Sequence, residues 1–444
     1  MSVSADNGLE IDLFATGPHK SDEPMGQIPP QPWMIAAETR AVIAALTAQG
    51  GEARFVGGCV RDAVLRRSIN DIDIATHEPP ERVMELLEAA GIRAIPTGIA
   101  HGTVTAVVDK AHFEITTLRS DVESFGRHAR VEFTDDWAED AARRDFTINA
   151  MFCRPDGMIF DPFDGLADLG AGRVRFVGDP MQRIDEDVLR LLRFFRFQAH
   201  YGRPPADVAA LAACRAQAHK LPTLSGERVC GEMFKLLLAP DPAGAILLMQ
   251  GQRVLPHILP EAIDVNRLRM MAFLEMRGLV RDDIRPDPLR RLAALLSVDR
   301  LGAETVADRL KMSNAQKTRL AALAAPDQVP QAGMAAPEAR RMLHHLGGET
   351  FRDLVLLAWA GRRAQENRPA SKETDGWLAL LSMAEQWTPV ELPIKGQDLR
   401  DLGVPHGPRI GQLLKDIERW WEDGDYRADR AQALAHAADL LKTP

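Results

Sequence analysis

The chain has 444 residues, of which 45% are hydrophobic and 26% charged, with a formal net charge of −9. These fractions are those of a soluble globular protein of roughly two to four domains, and the acidic balance excludes a global basic footprint, so any nucleic acid must be held by a local patch. No apolar run approaches the ~18 residues needed to span a bilayer, and the four cysteines (Cys59, Cys153, Cys214, Cys230) form no CxxC pair, the pattern of reduced thiols in a cytoplasmic protein.

The first 30 residues are rich in Ser, Asp, Gly and Pro, carry no basic-then-apolar leader pattern, and are expected to form a mobile arm. Trp33–Gln49 reads as a helix ended by Gly50-Gly51. A short strand, Ala53–Val56, leads into Gly57-Gly58. Arg61–Arg67 should be helical, and Asp71–Ala75 is the next strand. Pro79–Ala90 is an amphipathic helix with proline near its start, stopped by Gly91. Two β-rich runs follow, Gly102–Val108 and His112–Leu118. The polar stretch Ser120–Asp140 reads as a long loop, a kind of segment that is often functional. From about Asp145 the pattern is overwhelmingly helical, interrupted only by a hairpin-like piece at Met158–Val177. The fold class is therefore α+β: a small N-terminal α/β domain followed by a long all-α portion.

The segment FVGGCVRDAVLRRSINDIDI (Phe55–Ile74) carries the strongest chemical signal. On a strand, residues i and i+2 share a face, so Asp71 and Asp73 should present paired carboxylates while Ile72 and Ile74 point toward a core. Two like charges that close raise a pKa unless a cation lies between them. Mg²⁺ suits hard oxygen ligands together with substrate phosphates. Gly57-Gly58 allows close backbone approach to a ligand, and Arg61 offers a fork suited to phosphate. Together these residues point to metal-dependent nucleotidyl or phosphoryl transfer.

A second signal lies in Asp185–Ala199, DEDVLRLLRFFRFQA. Val188, Leu191, Leu192 and Phe195 form a helical core stripe. Asp187, Arg190 and Arg193 fall together on the opposite side, which Phe194 and Phe197 share. One reading is a helix with intrahelical Asp–Arg pairs. The other is a base reader. Adenine and cytosine both present an amino donor beside an unprotonated ring nitrogen, so a carboxylate and a guanidinium can pair with them. Guanine and uracil reverse both partners, and a site that leaves buried polar groups unpaired discriminates strongly.

The ordered blocks GGCVRD with DID, HGTVTAVV, FEITTLRSD, GRHARVEFTDDWAEDAARRDFTINAMF, DPFDGLADLGAGRVRFVGDP, EDVLRLLRFFRF and ERVCGEMFKLL resemble the class II tRNA nucleotidyltransferase / poly(A) polymerase family of the polymerase-β superfamily. The resemblance spans about residues 53–238. It implies a polymerase-β-like head followed by an all-α neck, body and tail. The expected boundaries are 1–30 for the arm, 31–178 for the head, 179–270 for the neck with a nucleotide-base template, 271–385 for the body and 386–444 for a tRNA-binding tail. It implies that Asp71 and Asp73 are catalytic and bind Mg²⁺ ions. One ion would activate the RNA 3′-hydroxyl and the other would hold the triphosphate. It further implies that Gly58, Arg61 and Arg144 contact the incoming nucleotide, that Asp145 shapes the site, that Asp187 and Arg190 are the protein template, and that Arg193 and Arg196 help hold the nucleotide. Glu227, Arg228, Glu232 and Lys235 resemble the helix that supports the template. Glu114 is a candidate third carboxylate, although a strand glutamate is more often simply solvated.

The implied function is template-independent addition of CMP, CMP and AMP from CTP and ATP to the tRNA 3′ end. The implied partners are tRNA, ATP and CTP, with no membrane and no stable protein partner. The long Arg119–Asp140 segment resembles the flexible loop of full CCA-adding enzymes. Two alternatives are a poly(A) polymerase and a nucleotidyltransferase with a non-RNA acceptor. No His-Asp dipeptide occurs, so a phosphohydrolase appendage is not expected. Near the C-terminus, Gly407-Pro408 and Gly411 open a helix carrying Arg409 and Lys415. As a bare motif it reads first as a plain helix start, and it resembles the family's tail module, expected near the tRNA elbow.

Overall fold

Strict alternation builds the sheet. In Thr103–Val108 the residues Val104 and Ala106 are fully buried while their neighbours are not, and in Ala111–Thr117 the buried Phe113 and Ile115 alternate with exposed His112 and Glu114. That period of two is what a half-covered sheet requires. The computed structural model describes residues 23–69, 71–125, 128–279, 281, 283–365 and 371–442.

Among the described residues, eight strands form one mixed sheet: β1 (Gly26–Gln27), β2 (Ala53–Val56), β3 (Ile72–Thr76), β4 (Arg93–Gly98), β5 (Thr103–Val108), β6 (Ala111–Thr117), β9 (Phe152–Cys153) and β10 (Met158–Phe160), in the order β1-β10-β9-β2-β3-β6-β5-β4. The β3–β6 pair is parallel, with Asp73 opposite Glu114. β2 is buried along its whole length at the centre. Helix α1 (Ala37–Thr47) follows a one-turn helix, Pro32–Ile35, so the expected single helix 33–49 is broken at Ala36. Helices α2 (Gly58–Val64), α3 (Pro80–Ala89) and α4 (Trp137–Ala142) complete this layer.

Of the expected arm 1–30, positions 1–22 lie outside the described residues, and Gly26–Gln27 pairs with Met158–Phe160 as an edge strand with Ile28 buried. The expected loop 120–140 is instead a hairpin of β7 (Arg119–Phe125) and β8 (His128–Phe133) followed by α4. Its polar composition hid the strands, because a two-stranded ribbon needs no apolar face to satisfy its backbone. Met158–Val177 is not a hairpin either. β10 pairs back with β9, and a short helix, Gly165–Ala171, follows.

Two helices stand where one was expected over 185–199. Helix α5 (Pro180–Glu186) ends at Asp187, whose backbone is extended (φ −149°, ψ 107°), and α6 (Leu189–Tyr201) begins after it. The acidic residues Asp185 and Glu186 therefore close one helix rather than open the next. In α6, Leu191, Leu192 and Phe195 are buried as expected, and Phe194 and Phe197 are buried too, packed on Phe146 and Phe176. Helix α7 (Gly226–Leu237) lies along α6.

The chain divides into two compact units: the first runs to Ala239 and includes Gly244–Ile258, and the second takes Pro240–Ala243 and continues from Leu259. The stretch 179–270 is thus shared between both units. The second unit is helical among its described residues. Its centre carries two fully buried arginines: Arg290 pairs with Glu275 and Asp353, and Arg291 pairs with Glu275. Paired in this way, charges survive a dry interior. Helix α8 (Ala336–Gln365) is kinked at Gly347, and α9 (Pro408–Asp423) packs in a separate small core with Ile394, Leu399, Val404 and Ala433.

Candidate active site

Every side chain of the site belongs to the first unit. Residues of α2, β3, the α4–β9 connection, α6 and α7 converge on one cleft of about 500 Å³. Its lining includes Gly57, Gly58, Arg61, Asp73, Arg144, Asp187, Arg190 and Arg193. Asp71 and Arg196 do not line it: Asp71 is exposed just ahead of β3, and Arg196 sits behind the cleft against Glu232.

The carboxylate side follows from the β3 register. Asp73 is pushed up to about 6, by burial first, then by the charges of Glu114 and Asp71, with Arg144 opposing. The parallel pairing that sets Asp73 beside Glu114 was not legible in the sequence. Carboxylate oxygens are the donors a hard divalent cation prefers, so the chemistry of Asp73, Asp71 and Glu114 fits such an ion, although their oxygens do not all lie within 4.8 Å of one another. Gly57 adopts φ +74°, a region glycine enters without strain. A Cβ there would stand 3.5 Å from Arg144 Nη1 and 4.0 Å from Asp73 Oδ2, in ordinary contact, so the positive φ rather than crowding calls for glycine.

The opposite wall is cationic. Arg61, only 7% exposed, donates to Asn149 Oδ1 at 2.6 Å and to Asp62 at 2.7 Å, with its guanidinium 4.2 Å from the Tyr201 ring. Asp140 is buried and accepts from Arg143 (2.7 Å) and Arg144 (2.8 Å). Burial alone would raise its pKa, but the two guanidiniums more than offset that and hold it below the usual carboxylate range. Asp145 is treated alike: burial raises it, and Arg193 (2.5 Å) with Asn149 (3.0 Å) brings it down. Buried aspartates thus aim the arginines at the cleft.

The sign of the resulting pH dependence is fixed. A depressed folded pKa contributes stability that is full above the unfolded value, about 3.9, and is lost as pH falls through the folded pKa. Asp145→Asn is therefore expected to lower the urea midpoint against the parent at pH 6–8. The gap should narrow as pH falls below about 3.9, toward the lowered folded pKa. A gap that widens as pH falls below about 3.9 would remove the ion-pair account.

Asp187, placed by the helix break, accepts from Arg228 at 2.8 and 3.0 Å and from the Leu189 N–H at 3.1 Å. Arg190 donates to Glu186 (2.5 Å) and to the carbonyls of Arg143 (3.1 Å) and Arg183 (3.2 Å). Asp187 and Arg190 therefore do not pair with each other as the i, i+3 reading would have it. Each is held by a third party. Arg228 and Glu232, on α7, clamp Asp187 and Arg196 respectively. Because the Arg196–Glu232 pair is largely buried, Glu232→Ala should cost about 3 kcal/mol by stranding the arginine. Chemical denaturation checks this, and a loss under about 1 kcal/mol would rule it out. Arg143, Asn149, Phe197 and Arg228 also line the cleft. The sequence placed Phe197 on the arginine side of its helix and Arg228 on the supporting helix, and carried Arg143 and Asn149 only within longer blocks.

Comparison with known proteins agrees in extent and fold. The model of the poly A polymerase head domain matches residues 53–175, and that of a probable RNA- and SrmB-binding site of polymerase A matches residues 208–265. The chain is 35% identical over 397 residues to mitochondrial CCA tRNA nucleotidyltransferase 1 of Mus musculus, covering 87% of this chain and 86% of that one. It is 30% identical over 413 residues to the CCA-adding enzyme of Lactococcus lactis, covering 91% and 97%. The crystal structure of the Bacillus stearothermophilus CCA-adding enzyme in complex with CTP aligns with a TM-score of 0.74 at 28% identity, over 90% of this chain and 96% of that one.

Proposed function

Because the chain belongs to the tRNA nucleotidyltransferase and poly(A) polymerase family, we propose that it adds CMP, CMP and AMP from CTP and ATP to the 3′ end of tRNA without a nucleic-acid template. The observation that carries this reading is the single cleft that gathers Asp73, the Gly57-Gly58 backbone, the arginine wall, Asp187 and Arg190 from distant parts of the chain. The 3′-oxygen forms a bond to the α-phosphorus, the α–β phosphoanhydride breaks, pyrophosphate leaves and the hydroxyl proton passes to solvent. Arg61, Arg144 and Arg193 hold the triphosphate, with Gly58 giving it room. Asp187 accepts from the base amino group while Arg190 donates to the ring nitrogen. Asp71 and Asp73 would hold a divalent cation, Mg²⁺ in this proposal, with Glu114 as candidate third ligand; such an ion would supply charge neutralisation of the triphosphate and acidification of the attacking hydroxyl.

Residues 31–178 act as the head, 179–270 as the neck, 271–385 as the body and 386–444 as a tRNA-binding tail. Among the described residues no helix is long and apolar enough to cross a membrane, and all four cysteines are free and buried. A cytoplasmic location goes with this reading, and cell fractionation tests it.

The decisive experiment supplies tRNA lacking CCA, tRNA ending in CC, and a generic RNA, each with one labelled nucleotide at a time. The expected result is C, C then A on the first, a single A on the second and nothing on the third. Long A runs on generic RNA without C addition would reassign the chain to poly(A) synthesis. Transfer to a small molecule alone would remove the RNA acceptor.

A further inference from the structure

In the second unit, three metal-competent side chains from two helices meet away from any residue used above. His344 and His345 stand in the last turn of α8 before its kink at Gly347 (φ +75°, ψ 158°), and Glu422 stands in the last turn of α9. One donor atom from each lies within 4.8 Å of the other two. His345 Nε2 and Glu422 Oε1 are 3.2 Å apart, close to the roughly 3.3 Å edge of a tetrahedron with bonds of about 2.0 Å. Glu418, one turn before Glu422 on the same face, places Oε1 3.7 Å from His344 Nε2.

The surroundings favour a cation. Carbonyls freed at the α8 kink add negative potential at a helix C-terminal end. The nearby arginines are already neutralised, Arg340 by Asp425 at 2.6 Å and Arg341 by Asp423 at 3.0 Å. The Tyr426 ring packs 5.1 Å from the His344 ring, and its buried hydroxyl has no hydrogen-bond partner among the described residues. A polar atom buried in that state calls for a ligand or water at the site. His344 and Glu422 are mostly shielded by the protein while His345 is open to solvent, so an ion has both a formed cage and an entry path.

We propose that His344, His345 and Glu422 form a transition-metal site, with Glu418 in reach of a fourth position, that pins α8 to α9. Two imidazoles and a carboxylate suit Zn²⁺ and disfavour Mg²⁺, which takes oxygen ligands. The site would be structural and separate in chemistry from the carboxylates of the transfer reaction.

The test is a Zn²⁺ titration of the chelator-treated full chain by calorimetry in excess Mg²⁺, with Co²⁺ substitution as a spectroscopic reporter. One equivalent of Zn²⁺ and a visible Co²⁺ d–d band are expected. His345→Ala and the isosteric Glu422→Gln should each weaken Zn²⁺ binding by at least about 100-fold, beyond the 10–100-fold typical of outer-shell changes, and abolish the band. Asp73→Asn should leave both signals unchanged. Circular dichroism and a cooperative urea unfolding transition verify that the variants are folded. Absence of stoichiometric Zn²⁺ binding in the parent, or parent-like binding by the folded His345→Ala and Glu422→Gln proteins, would overturn the proposal. So would loss of the Co²⁺ band in Asp73→Asn.

Discussion

Asp73→Asn is expected to lower nucleotide addition by at least about 10³-fold, some 4 kcal/mol of barrier, while making the metal-free protein more stable. Both effects come from one fact of geometry. Asp73 is half-buried within the field of Glu114 and Asp71, and its pKa is pushed up to about 6. A folded pKa above the unfolded value means that the folded state binds more protons between about pH 4 and 6, so stability falls as pH rises through that window. Neutralising the side chain removes that penalty. Allowing for partial solvent screening, the gain at pH 7 in chelator is about 1–2 kcal/mol. Added Mg²⁺ should then raise the urea midpoint of the parent and leave that of Asp73→Asn unmoved, because the ion binds only the folded carboxylate pair. Asp71→Ala should match the activity loss. A variant at Asp73 that keeps a tenth or more of parental activity would show that these carboxylates are not the transfer centre. Glu114→Gln sorts the third carboxylate: a loss of the same order makes it a ligand, and a loss under about tenfold makes it a neighbour.

Asp187→Ala carries the second large effect, on selectivity. A site built to pair with a base edge rejects the wrong edge by about 10⁴–10⁵. Removal of the carboxylate should therefore collapse the preference for CTP and ATP over GTP and UTP to about tenfold or less. The structure leaves room for the contact. A carboxylate offers about four acceptor positions, and Asp187 uses three, two on Arg228 and one on the Leu189 N–H. Arg190 has five N–H groups and spends three on Glu186 and two carbonyls. One acceptor and two donors remain, which matches the amino group and ring nitrogen shared by cytosine and adenine. The alanine variant also leaves Arg228 without its partner. Asp187→Asn, which keeps the shape and adds a donor, is therefore the sharper probe, and its preference should move toward UTP and GTP. Competition kinetics with paired labelled nucleotides measures both. Undiminished CTP and ATP preference in Asp187→Asn would end the template assignment.

Local chemistry and periodicity were legible in the chain alone. The alternation in Gly102–Val108 and His112–Leu118 and the apolar stripe Leu191, Leu192, Phe195 rest on the fixed repeat of a strand or a helix, whereas Val188 of that stripe precedes α6 and Asp71 precedes β3. The α+β order was legible too, because a switch from period two to period 3.6 near Asp145 needs no partner to be seen. The polar hairpin of Arg119–Phe125 and His128–Phe133 escaped notice since its pairing is satisfied backbone to backbone and leaves no hydrophobic signature.

What only the tertiary structure decided is who holds whom. The parallel register that brings Glu114 to Asp73 and the clamps from Arg228 and Glu232 on α7 join residues roughly 40 positions apart, and the break at Asp187 turns one expected helix into two. Contacts of that kind are selected by packing and by the cost of an unpaired buried charge. Neither quantity has a period along the chain. The amino-acid order therefore set the chemical groups and the elements that carry them, whereas three-dimensional closure set their partners and the shifted proton affinity of Asp73.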